Sequence, residues 1–420
     1  MRLASLAALA AAIVAAATAA TAAPAAPSGA TLEGVVILSR HGVRAAVEPN
    51  SAMRGYADQA WPKMDVPVGN LTKQGRTLAR LMGGYYGARY RDLGLLPSSG
   101  CLPKAQVDIW ADNMQRTLVT AEMLGKGMLP GCSYPVGRTR SGPDPWIDPV
   151  GAGICSIDDD AAEASVLSMV GGSWTAPGIA LQNSLGELQD TLQCCRPRIC
   201  SQYGLKAGCT LTDIVPNGSE SGAIGIAANL AENFVMQYAT GLPMSEVGWG
   251  RLSTPNDIGF VNQGHALAFW AANASPYLAA REGSNLANRI LSSLSAAAAG
   301  SGPKVSIIVA HDNNLLNVAG LLGVQWFVDS YQQNHVPPGS ALAFELWKLP
   351  GNRGWAVEVN FFAQTLDQLR DKTRLTLATP PTEAPLTVAA CKPKTGSDTC
   401  TLARLEAVLK ASSVQACIRN

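Results

Sequence analysis

Three short apolar runs in this chain stop abruptly at charged residues, and no other feature narrows the possible folds as much. Leu32 to Leu38 (LEGVVIL) leads into Ser39-Arg40-His41-Gly42-Val43-Arg44; Val107 to Ala111 (VDIWA) into Asp112 and Arg116; Val305 to Ala310 (VSIIVA) into His311-Asp312-Asn313-Asn314. Continuous β-type runs of this length, unlike alternating ones, are strands covered on both faces, which requires a sheet between helical layers. Helical stretches follow two of them, at Met114 to Lys126 and Leu315 to Leu322. The expected class is α/β, with a mixed, largely parallel sheet flanked by helices. Ala341 to Leu349 and Trp355 to Phe362 read as further strands, and 380–400 as a Pro/Thr-rich loop.

A chain of 420 residues has room for two or three compact units. Between 156 and 275 the apolar positions change to helical spacing punctuated by Gly and Pro, with Leu181 to Leu192 and Ala223 to Tyr238 as amphipathic helices. The expectation is one α/β domain from 31–155 and 276–420, carrying a smaller α-helical cap inserted at 156–275. Lys and Arg number 32 against 31 Asp and Glu, a balance too even for a nucleic-acid partner.

Residues 3–32 carry no charge and are mostly Ala, and small residues at Ala20, Ala22 and Ala23 precede Pro24. Residues 1–23 therefore read as an export signal rather than an anchor, and no other run approaches the roughly 18 apolar residues of a membrane span. The mature chain is expected in the periplasm or outside the cell, free of the membrane. Ten cysteines behind such a leader suit an oxidising compartment. Cys101/Cys132, Cys200/Cys209 and Cys391/Cys400 read as local staples, whereas adjacent Cys194 and Cys195 could close only an eight-membered ring. A zinc site has little support: there are no paired CxxC motifs, no HExxH, and no His cluster beside the thiols.

Open α/β sheets gather ligands at the carboxyl ends of their strands, so residues following three such strands can meet in one crevice. Arg40, His41, Arg44, Arg116, His311 and Asp312 would then converge. Guanidinium groups present planar donors that match phosphate oxygens, and a helix starting after each strand would add backbone N–H groups. The ligand implied is a phosphoryl group.

Arg40-His41-Gly42-Val43-Arg44, together with the distant His311-Asp312, resembles the histidine acid phosphatase family, whose bacterial branch includes periplasmic phytases and glucose-1-phosphatases. With 4 His and 41 Gly in the chain, RHGxR should arise by chance in roughly one sequence per thousand of this composition. The likeness continues through LTKQG (71–75), ADNMQRT (111–117), GWGR (248–251) and PPGSALAFELW (337–347). It implies a phosphoglycerate-mutase-like fold and hydrolysis of a small phosphomonoester through a phosphohistidine, without metal or cofactor. It also implies the roles: His41 as nucleophile, Asp312 as the acid that protonates the leaving group, and Arg40, Arg44, Arg116 and His311 as phosphate ligands. The family's disulfides suggest Cys101–Cys132, Cys155–Cys417, Cys200–Cys209 and Cys391–Cys400.

The chemistry supports this independently of the name. A phosphomonoester repels nucleophiles until cations offset its charge, and the same cations hold a neighbouring imidazole unprotonated. Asp312 must be protonated to serve as an acid, which favours acidic pH. The chain departs from its phytase-like relatives after the motif, reading Ala46, Val47 and Glu48 where they have Pro, Thr and Lys. That leaves phytate open as a substrate. His335 in its Gln/Pro loop reads as structural, His265 as either lining the crevice or packing, and Asn313 and Asn314 as helix caps. Asn70, Asn217 and Asn273 begin sequons that matter only in a glycosylating host. The alternative function is a non-catalytic phosphate-ligand binding protein or sensor using the same crevice.

Overall fold

The computed structural model describes residues 27–47, 53–214, 222–391 and 400–419. The leader 1–23, Glu48, Asn217 and residues 392–399 lie outside them. Seven strands form one sheet: β1 (Thr31–Arg40), β2 (Val107–Ala111), β3 (Val305–Ala310), β4 (Ala341–Lys348), β5 (Trp355–Ala363), β6 (Thr382–Leu386) and β7 (Cys400–Thr401). Their order is β2-β3-β1-β4-β5-β6, with β7 also on β5. The three strands read first from the sequence thus lie side by side.

Residues of β1 alternate between two cores, which is why its apolar run is continuous. Val35 and Ile37 join Met82, Tyr86 and Leu124 on one face. Val36 and Leu38 join Ile290, Leu316 and Phe344 on the other. The first face is covered by α1 (Lys73–Asp92) and α2 (Gln115–Met128). The segment from 159 to 273 holds α3 (Asp159–Met169), α4 (Thr175–Ala180), α5 (Gln182–Leu192), α6 (Pro197–Gln202), α7 (Ala223–Leu230), α8 (Glu232–Thr240), α9 (Pro255–Val261) and α10 (Gln263–Asn273). Then come α11 (Pro276–Ala298), α12 (Asp312–Leu322), α13 (Leu366–Asp371) and α14 (Leu402–Ser412). The second core runs without a break from the sheet into these helices, through Leu188, Ile224 and Phe234.

The structure departs from the sequence reading in three places. The sheet is mixed, but parallel pairing is confined to β2-β3 and β3-β1, while β4 to β7 pair antiparallel. Residues 349–354 turn directly from β4 into β5, too short a link for the crossover that parallel strands need. The 380–400 stretch contains strand β6, whose Pro385 is tolerated because β6 is an edge. Finally, helices begin straight after β2 and β3, whereas β1 runs into a loop over 41–47.

All ten cysteines are paired: Cys101–Cys132, Cys155–Cys417, Cys194–Cys195, Cys200–Cys209 and Cys391–Cys400. Cys155–Cys417 ties the start of the helical segment to the C-terminal end. Among the described residues no helix is long and apolar enough to cross a membrane.

Candidate active site

Strand register brings the candidate residues together. Arg40 pairs with Ala310 across β1 and β3, so His41 and His311 leave adjacent strands side by side, with ring centroids 5.4 Å apart. Ala111 pairs with Val309 across β2 and β3, so Asp112 lies next to His311, and His311 Nε2 is 2.8 Å from Asp112 Oδ2. The Gly42 N–H donates to Thr120 Oγ1 of α2 at 3.0 Å. The Leu71 N–H donates to Gln115 Oε1 at 2.8 Å. These bonds dock the first turns of α2, and with them Arg116, onto the loop after β1. Arg116 Nη1 reaches the Gly69 carbonyl at 3.4 Å.

His41 is 3 % exposed, and its Nδ1 lies 2.9 Å from the carbonyl oxygen of Gly42. A carbonyl can only accept, so the Nδ1 proton is committed there and the Nε2 lone pair is free. Burial, then Arg40, His311, Arg116 and Arg44, hold this imidazole well below its usual range. Its neutral, nucleophilic form therefore persists into acid.

The three arginines are held differently. Arg40 is 0 % exposed, and its Nη1 is 2.8 Å from Glu232 Oε1 and its Nη2 2.8 Å from Asp312 Oδ2. Nη1 also donates to the Val336 carbonyl. Its buried Nε and Nη2 find no hydrogen-bond acceptor among the described residues, Nη2 meeting Asp312 as an ion pair and Nε meeting nothing. Arg44 and Arg116 form no ion pair among the described residues. Burial and the neighbouring Arg40 bring the Arg44 guanidinium down to about 10. A buried cation and a half-buried one, neither with a carboxylate partner, leave local positive charge that an anion could offset.

Asp312 opens α12, and burial favours its neutral form, but Arg40, His265 and Arg44 outweigh this and hold the carboxyl below its usual range. The His311 N–H donates to Asn314 Oδ1 at 3.1 Å, and Asn314 Nδ2 donates to the Ile147 carbonyl at 2.7 Å. Asn314 thus caps and anchors the helix.

Glu232 and Asp112 are the functional neighbours that motif reading did not single out for a role. Asp112 had a signal, as the first residue past a buried strand. Glu232, at the start of α8, had none. His265 and His335 both lie behind Glu232, their Nε2 atoms 3.6 Å and 3.3 Å from its Oε2. Ligand atoms of these three lie within 4.8 Å of one another, close enough to hold a cation. The Arg40 guanidinium 2.8 Å from the same carboxylate opposes a further positive charge. His335 is also packed against Tyr331, and its carbonyl accepts from Trp326 Nε1 at 2.7 Å, so its structural reading and its place in this cluster coexist.

A cavity of about 1050 Å³ lies among the helices of the 159–273 segment, lined by Tyr56, Trp174, Tyr203 and Phe269 among others. A smaller one of about 390 Å³ adjoins the site itself and is lined by His311, Asp112, Asp148, Glu282, Asn113 and Asn313 among others, with no Lys or Arg.

Comparison with known proteins gives a consistent picture. The family described as histidine phosphatase superfamily (branch 2) matches residues 31–174 and 236–362. Phytase AppA of Escherichia coli strain K12 is 33 % identical over 405 residues, covering 92 % of this chain and 93 % of that protein. A glucose-1-phosphatase of Salmonella typhimurium is 28 % identical over 397 residues, with the same coverage of 92 % and 93 %. Hafnia alvei phytase, solved with myo-inositol hexakis sulphate, superposes with a TM-score of 0.84 at 33 % identity, over 94 % of this chain and all of that one.

Proposed function

The chain belongs to branch 2 of the histidine phosphatase superfamily and is an acid phosphatase that hydrolyses phosphomonoesters; from that premise we propose how its residues divide the reaction. His41 Nε2 attacks phosphorus and the P–O ester bond breaks. Asp312 gives its proton to the departing oxygen, leaving phosphohistidine. Water then attacks the phosphohistidine, the Asp312 carboxylate takes a proton from it, and inorganic phosphate leaves with His41 regenerated. Arg44 and Arg116, Arg40 through Nε, and His311 hold the phosphoryl oxygens. The observation that carries this reading is the Nδ1 bond of His41 to the Gly42 carbonyl, which leaves one unprotonated nitrogen among cations. His41→Ala should abolish turnover of every ester, and Asp312→Asn should slow alkyl phosphates far more than aryl phosphates. Saturable phosphate binding by the wild type, with no turnover between about pH 3 and 7, would support the non-catalytic alternative.

The substrate supported by the geometry has an uncharged, hydroxylated leaving group. The 390 Å³ cavity beside His311 presents three carboxyl groups and no cation, which disfavours neighbouring phosphates and suits sugar hydroxyls. Burial raises the Glu282 carboxyl, against the Asn317 hydrogen bond and with help from Asp148, so in acid it can donate as well as accept. The relatives include both phytases and glucose-1-phosphatases. The expected order of kcat/KM is glucose-1-phosphate above phytate, with Glu282→Arg narrowing the gap; phytate preferred by the wild type would reject the assignment. We also propose export to the periplasm or beyond, with cleavage of residues 1–23 and the 156–275 segment acting as a cap over the site.

A further inference from the structure

Glu232 is 4 % exposed, and its two oxygens face different groups. Oε1 meets Arg40 Nη1 at 2.8 Å, while Oε2 faces His335 Nε2 at 3.3 Å and His265 Nε2 at 3.6 Å. The other end of the same guanidinium holds Asp312 at 2.8 Å. One positive charge is therefore divided between two buried carboxylates. A charged Glu232 repels a charged Asp312, offsetting part of the attraction by which Arg40 keeps Asp312 ionised.

We propose that Glu232 is a positioning residue for the proton-donation step: by holding the far edge of Arg40 it keeps Asp312 able to take up the proton that it later delivers. The proposal rests on the reading of Asp312 as the general acid. The groups facing this pair come from several elements. Arg40, Arg44 and His41 lie on β1 and its loop, Arg116 on α2 and His265 on α10, and Tyr331 and His335 precede β4. Arg40, Arg44 and His265 favour ionised Asp312, and Glu232 opposes them. His265 donates Nδ1–H to the Ala228 carbonyl at 2.6 Å, so its Nε2 turns a lone pair on Glu232 unless protonated. Burial, opposed by Glu232, holds this imidazole below its usual range, which leaves Arg40 as the cation that Glu232 leans on.

The test is the pH dependence of kcat for an alkyl and an aryl phosphate in Glu232→Gln, which keeps the shape and loses the charge. For the alkyl ester the high-pH limb should move about one unit to lower pH, roughly a tenfold loss at the former edge, with the aryl ester little affected. Glu232→Asp, which keeps the charge but draws it back from Arg40, should move the limb the same way by less, and it serves if the Gln variant does not fold. A limb that stays in place in both variants, or equal loss for both esters, overturns the proposal. Activity lost to a chelator and restored by zinc overturns it too, since the Glu232–His265–His335 cluster would then be a cation site. Asp312→Asn separates the two claims: without leaving-group discrimination in that variant, the acid assignment itself fails.

Discussion

Arg44 and Arg116 owe their value to what they lack. A buried guanidinium with a carboxylate partner is already neutralised, as Arg40 is by Glu232 and Asp312. Arg44, 8 % exposed, donates Nη1 to the Ala45 carbonyl at 3.1 Å but meets no carboxylate, so its charge is left for a ligand. Lysine keeps the charge but loses the planar donor set. Arg44→Lys and Arg116→Lys should each lower kcat/KM by about tenfold to a hundredfold, corresponding to roughly 1.5–3 kcal/mol for a charged hydrogen bond. Unfolding temperature should change little, since no internal ion pair is lost; steady-state kinetics beside thermal melts would separate the two effects. RHGxR singled out Arg40 and Arg44, but which of the two is consumed internally depends on Glu232, far away in the sequence.

At the scale of elements, the placing of Arg116 depends on how closely α1 and α2 approach. Glycines line their contact: a Cβ on Gly83 would meet the Leu124 carbonyl, and one on Gly127 the Arg80 carbonyl. Backbone cannot yield as a side-chain tip does, so the overpacking cost of about 1–3 kcal/mol exceeds the roughly 1 kcal/mol that Ala gains over Gly in a helix. Gly127→Ala should lower stability and, by pushing α2 off the loop after β1, lower kcat/KM. Gly84→Ala in the same α1 helix, with nothing within 4 Å of the added methyl, should stabilise instead. Thermal unfolding of the two variants checks both signs. The strands β2 and β3 were legible to the residue because continuous apolar runs have only one use in a small α/β sheet. The division at Ala231 between α7 and α8 was not, because Ala223 to Tyr238 keeps helical spacing throughout.

Across the whole molecule, a second charged group sits far from the crevice and links stability to pH. Glu345 on β4 and Glu358 on β5 are direct cross-strand partners, and Arg89 of α1 binds Glu345 at 3.0 Å and Glu383 of β6 at 3.0 Å. Burial and the Glu345 charge, against Arg89, raise the Glu358 carboxyl from 4.5 to about 7. An acid raised in the folded state binds its proton more tightly there than when unfolded. Its stabilising effect is therefore complete below about 4.5 and lost as pH rises through about 7. Against the opposite trend of the buried, unprotonated His41 and His265, the wild-type melting temperature should gain on that of Glu358→Gln between pH 7 and pH 5; a constant difference between the two would remove Glu358 as a contributor. On its own, the amino-acid order determined the buried strands and the family motif, because apolar runs and contiguous motifs act over neighbouring residues. Only the tertiary structure decided the antiparallel half of the sheet, the hold of Asp112 on His311, the sharing of Arg40 between two carboxylates and the acidic wall of the adjoining cavity. Each of these depends on strand register and helix packing, which bring together charges that no local pattern connects.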